Sequence, residues 1–125
     1  MTPALLLAVA AGGFVGAPSR FLIDRYVAGR VPSELPWGTF VINLSGAFLL
    51  GLLSGLATAG VLPVTASAAA GDGFCGAYTT FSTFSFETLR LAESGSYLGA
   101  AANLGVSVAL GLGAAAAGIV LGRLA

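Results

Sequence analysis

Charged positions gather around residues 20–34 and 87–93, with Asp72 and Arg123 standing apart, and long uncharged runs occupy 1–19, 35–71, 73–86 and 94–122. A helix that crosses a bilayer needs about 20 mainly apolar residues. The pattern therefore predicts spans over about 3–26, 37–59, 64–92 and 97–121. Arg25, Arg30, Pro32, Glu34 and Pro36 make the first connection, Gly60 to Pro63 the second and Glu93 to Ser96 the third. Proline cannot supply the backbone hydrogen bonds that lipid demands, so Pro32 and Pro36 mark residues outside the spans. Trp37 opens the second span, where an indole suits the membrane interface. The third stretch is too long and too polar for one simple helix. Gly71, Gly73 and Gly76 precede a hydroxyl-rich run from Thr79 to Ser85, which predicts a span broken near its middle, around residues 73–79. The expected fold is a single all-α membrane domain over residues 1–125 with four transmembrane helices.

Composition agrees with the pattern: 57% of the residues are hydrophobic, 8% are charged, and the mean hydropathy is +0.96. A soluble domain carries about 25% charged residues. The chain has no His and one Cys, Cys75, which excludes a His or multi-Cys metal site, a Ser-His-Asp triad and a disulfide framework. Conventional enzyme catalysis is not expected. Zero formal charge leaves no basic footprint for nucleic acid. Met1-Thr2-Pro3 lacks the positive region of a cleavable signal, so the first segment is expected to stay in the membrane.

Four spans put both termini on one side. Arg25, Arg30 and Arg90 then lie near span ends on the loop side and Arg123 on the terminus side, a weak bias that is compatible with insertion in both orientations. Glycine recurs at small-residue spacing, as in Gly12/Gly16, Gly51/Gly55 and Gly118/Gly122, which lets helices approach closely. Four short helices enclose little interior, so a homo-oligomer, minimally a dimer, is the simpler expectation.

Polar groups within spans are candidates for function. Phe81 and Phe84, three apart, share a helix face beside a stripe of Thr80, Thr83 and Glu87. Aromatic edges are electropositive and can attract a small anion without a full charge. Asn43, one turn after Thr39, can donate to an anion or to a neighbouring helix. Asn103 and Ser107 form a second short stripe, for which helix packing is the plainer role. Arg20 can snorkel or line an aqueous vestibule. An interruption over Gly73 to Thr79 frees backbone carbonyls, which are hard ligands for an alkali cation; the same residues equally serve a kink closed by Ser and Thr hydroxyls.

Three stretches carry a family resemblance: Gly12-Gly13-Phe14-Val15-Gly16-Ala17-Pro18-Ser19-Arg20, Gly38-Thr39-Phe40-Val41-Ile42-Asn43-Leu44-Ser45-Gly46, and Gly73-Phe74-Cys75-Gly76-Ala77-Tyr78-Thr79-Thr80-Phe81-Ser82-Thr83-Phe84-Ser85-Phe86-Glu87. With them the sequence resembles the Fluc (CrcB) family of fluoride channels. The resemblance implies passive, fluoride-specific export across the cell (inner) membrane, which relieves fluoride toxicity. It also implies an antiparallel, dual-topology dimer with two fluoride pathways and a structural Na+ at its centre. By motif position, Phe81 and Phe84 resemble the rings that contact fluoride and Asn43 the pore-lining amide. Gly76 and Thr79 resemble the residues whose backbone carbonyls hold the Na+. Thr80, Ser107 and Glu87 are secondary candidates, and Arg20 matches the first-span arginine of a vestibule or structural contact. Some members pair non-identical subunits; a homodimer is expected here. Asp72 stands where an uncharged residue is expected.

The rival reading is a dual-topology, proton-coupled small multidrug exporter. That chemistry needs a carboxylate within a span, usually the first, and residues 1–19 contain none.

Overall fold

The computed structural model describes residues 1–125 and consists of helices joined by short turns, without a β-strand. Helix α1, Pro3–Arg30, begins where Thr2 Oγ1 accepts from the Leu5 amide at 3.2 Å and where Pro3 needs no partner for an amide it lacks. It stops at Val31-Pro32, because the residue before a proline is pushed out of the helical region. The helix outlasts the apolar run that ends near Tyr26. Its last turns are exposed, and Arg25 and Arg30 lie over the rings of Phe21 and Tyr26, 5.6 and 4.8 Å from the centroids. Charge ends an apolar span without ending the helix, whose backbone bonds are internal.

Helix α2, Trp37–Thr58, follows Pro36 and leads to a turn at Gly60, whose φ of 76° suits glycine. The third stretch is a series: α3, Val64–Ser67; a π-helical segment π1, Ala68–Cys75; α4, Gly76–Tyr78; and α5, Phe81–Glu93. Gly95 (φ 88°) turns the chain into the last helix, α6, Tyr97–Arg123.

Three helices, α1, α2 and α6, are long and apolar enough to cross a membrane, with mean hydropathies of 1.6, 1.9 and 2.2. The third stretch is divided by extended backbone at Thr79 (φ −82°, ψ 159°) and Thr80 (φ −147°, ψ 119°). The break therefore falls at the last of the residues 73–79 and one beyond. Gly71, Gly73 and Gly76 remain helical, and Gly73 serves close packing. A Cβ on Gly73 would strike the Val9 carbonyl and the Gly12 Cα of α1.

Two glycine seams hold the bundle. Gly12 and Gly16 of α1 lie against the backbone of Ala69 and Phe74 in π1. Gly51 and Gly55 of α2 lie against Ala115 and Ile119 of α6, while Gly118 and Gly122 answer against Phe48 and Leu52. Lipid gives helices no hydrophobic drive to associate, so backbone proximity of this kind supplies the attraction. The buried side chains are few, among them Ile42, Leu53, Cys75, Tyr78, Phe84 and Leu91. Large apolar residues such as Leu7, Phe14, Leu98 and Leu112 are instead more than two-thirds exposed. Such an outer face suits lipid or another protein surface, not water.

Candidate ion pathway

The break at Thr79-Thr80 is closed from α2. Asn43 Nδ2 donates to the Thr80 carbonyl and Asn43 Oδ1 accepts from the Thr80 amide, each at 2.9 Å. The interhelical role of Asn43 is thus present, and because a side-chain amide has two N–H donors, one remains for another partner. Thr80 then caps α5, its Oγ1 accepting from the Thr83 amide at 3.1 Å. Extended backbone takes Thr80 off the helix, so the expected stripe of Thr80, Thr83 and Glu87 does not form as one helical face.

The same rearrangement frees carbonyls. With the Thr80 amide turned to Asn43 and the Thr83 amide bonded to Thr80 Oγ1, the Gly76 and Thr79 carbonyls lack the donors that a continuous helix would bring. The amide and Oγ1 of Thr79 both turn back to the Cys75 carbonyl, at 3.0 and 2.9 Å. Gly76 is exposed, and no atom of the chain lies within 4 Å of where its Cβ would stand. Two free backbone oxygens beside an open surface are hard donors of the kind a Na+ ion takes.

Phe81 and Phe84 lie with ring centroids 6.0 Å apart and planes inclined at 49°. Their environments differ: Phe81 is 78% exposed and Phe84 only 8%. Both line a groove of about 380 Å³ with Ser85, Thr88, Leu104 and Val108.

Behind the groove runs a chain of neutral polar groups. Thr88 Oγ1 donates to the Phe84 carbonyl at 2.8 Å and accepts from Asn103 Nδ2 at 2.7 Å; Ser107 Oγ donates to Asn103 Oδ1 at 3.5 Å. Asn103 and Ser107 also line a crevice of about 120 Å³ beside Trp37 and Phe40. Thr88 was not among the residues expected from sequence. Its signal was its place one turn after Phe84 and next to Glu87.

Glu87 lies half-buried beside Thr39, Asp24 and Arg90, and its Oε1 is buried without a partner in the chain. It opens onto a polar cavity of about 490 Å³ lined by Asp24, Glu34, Arg90 and Ser94 among others. Arg20, half-buried on α1, is not among the residues lining that cavity. Asp72 is exposed on π1.

Residues 7–119, which take in all of these groups, match the family described as CrcB-like protein, Camphor Resistance (CrcB). The chain belongs to the CrcB family. It is 55% identical over 113 residues to a protein of Streptomyces avermitilis named fluoride-specific ion channel FluC 1, covering 90% of this chain and 91% of that one. The FluC 1 of Frankia casuarinae is 49% identical over 122 residues, covering 94% and 95%. The FluC 2 of Mycobacterium tuberculosis is 49% identical over 118 residues, covering 94% and 90%.

Proposed function

We propose that this CrcB protein is a fluoride-specific ion channel, through which fluoride leaves the cell down its gradient. The observation that carries the reading is the join of α5 to the Asn43-clamped break, which sets Phe81 and Phe84 beside the hydroxyl and amide chain of Thr88, Asn103 and Ser107. The names of its relatives point to the same ion.

Fluoride is small and strongly hydrated, so a narrow path must replace its water with donors. Ring edges of Phe81 and Phe84, the spare Asn43 N–H, and the hydroxyls of Thr80 and Ser107 offer such donors at neutral charge. A row of cations would bind any anion tightly and slow its departure. Selectivity over chloride follows from width and donor geometry. The cavity at Glu87 and Arg90 serves as one mouth of the path, with Arg20 a vestibule or structural contact in the assembled channel.

The assembled channel is an antiparallel dimer of two copies in the cell (inner) membrane. Support comes from the exposed Gly76 face and the apolar outer surface of the single chain. A structural Na+ sits where the Gly76 and Thr79 carbonyls of both copies meet; it supplies positive charge that holds the break together and is not transported. Fluoride efflux from liposomes carrying the purified protein, read with a fluoride electrode, tests the function. Efflux no greater than from empty vesicles, with a folded dimer present, refutes it. Full activity after exhaustive replacement of Na+ by a large organic cation refutes the ion's structural role.

A further inference from the structure

Asp72 lies eight residues after Val64, the first residue of α3. At 1.5 Å per residue this is about 12 Å along the helix, well below its end. Its neighbours on either side pack on other helices: Gly73 on the backbone of Val9 and Gly12, and Gly71 against Leu50 at 3.6 Å from an ideal Cβ. Between these two buried glycines Asp72 is exposed, so its side chain leaves its own chain on the outward face. A carboxylate presented to lipid at this depth is costly, and such groups face partners or cations instead.

Gly76 shares that face. The π1 bonds reach five residues back, as from the Gly76 amide to the Gly71 carbonyl, which brings residues four apart nearly into line along the helix. Asp72 and Gly76 are therefore both exposed, one turn apart, on the surface that carries the free Gly76 carbonyl.

We infer that Asp72 supplies negative charge to the cation held by the Gly76 and Thr79 carbonyls, one carboxylate coming from each copy of the dimer. The inference rests on the reading of that centre as a Na+ site between two chains. In an antiparallel pair whose two-fold axis passes the Gly76 face, the two Asp72 residues flank the axis from opposite sides. Without a cation they are like charges held near one another; with it, one positive charge lies between them and offsets half of the pair's negative charge. Na+ binding and pairing are coupled for this reason.

Calorimetric titration of Na+ into the purified protein, with choline as the replaced cation, and the cross-linked dimer fraction against Na+ concentration test this. Asp72→Asn is expected to weaken Na+ binding at least tenfold and to move the dimer midpoint to higher Na+, whereas Asp72→Glu stays within threefold of the unsubstituted protein. Equal Na+ affinity in Asp72→Asn and the unsubstituted protein overturns the inference and leaves the carbonyl site standing. Absence of Na+ binding by the unsubstituted protein overturns both. If Asp72→Asn aggregates at every Na+ concentration, Asp72→Ser is judged by the same tenfold criterion.

Discussion

Asn43 and Thr80 hold each other through two hydrogen bonds of 2.9 Å, side-chain amide to backbone amide and carbonyl, across 37 residues of sequence. The pair restores the bonds that extended backbone removes at the break, and it is the join between α2 and the start of α5. Everything on α5, including Phe81, Phe84 and Thr88, takes its position from that join.

Asn43→Ala removes both bonds and leaves two backbone groups of Thr80 unpaired. At about 0.5–1.5 kcal/mol for each bond, the loss of stability is about 1–3 kcal/mol, measured by unfolding in mixed detergent micelles. Fluoride flux falls with it. Stability equal to that of the unsubstituted protein would show that the clamp contributes nothing.

Phe81 and Phe84 separate in their effects. Phe84→Ala empties a buried site and costs about 3–5 kcal/mol, as large-to-small changes in a core do. Phe81→Ala, at a ring 78% exposed on the single chain, changes the stability of the fold by less than about 1 kcal/mol. Replacement of either ring by Ile stops fluoride efflux from liposomes, because the electropositive edge is lost. Normal efflux in Phe81→Ile would remove that ring from the path.

The glycine seams give a contrast within one helix. Gly118→Val drives side-chain atoms into the Phe48 and Leu52 backbone of α2, while a Cβ at Gly113 meets nothing within 4 Å. Gly118→Val is expected to lose the folded protein on size-exclusion chromatography. Gly113→Ala keeps it and, through helix propensity, gains up to about 1 kcal/mol. Equal behaviour of the two variants would contradict the α2–α6 packing.

The helices and the two seams were legible because lipid restricts what a sequence can do: backbone groups must pair within the segment, and glycine spacing marks close approach. The break was legible only in outline. Gly73 and Gly76 drew attention to its beginning, yet Gly73 is there for Gly12, and the true position at Thr79-Thr80 is set by Asn43, a residue on another helix. The unequal burial of Phe81 and Phe84 is hidden for the same reason. Spacing places both rings on one face of α5, and only the packing of the helices around it decides which of them is covered. Thr88 escaped notice because its partner Asn103 lies beyond the loop at Gly95.

Thr88 and Asn103 decide whether the polar chain behind the rings is structure or path. Their 2.7 Å hydrogen bond should show a coupling of about 0.6 kcal/mol, and at most about 1.7, in a cycle of Thr88→Val, Asn103→Leu and the double variant. That is a small part of the total stability. Thr88→Val also keeps the volume of the side chain, so packing around Phe84 is preserved while the acceptor for Asn103 is lost. A purely structural tie predicts near-normal efflux at so small a cost. A donor chain that conducts fluoride predicts a loss of flux of tenfold or more, with recovery in Thr88→Ser, which retains the hydroxyl. Efflux and unfolding measured on the same preparations separate the two, and unchanged flux in Thr88→Val would remove the Thr88–Asn103 hydrogen bond from the path.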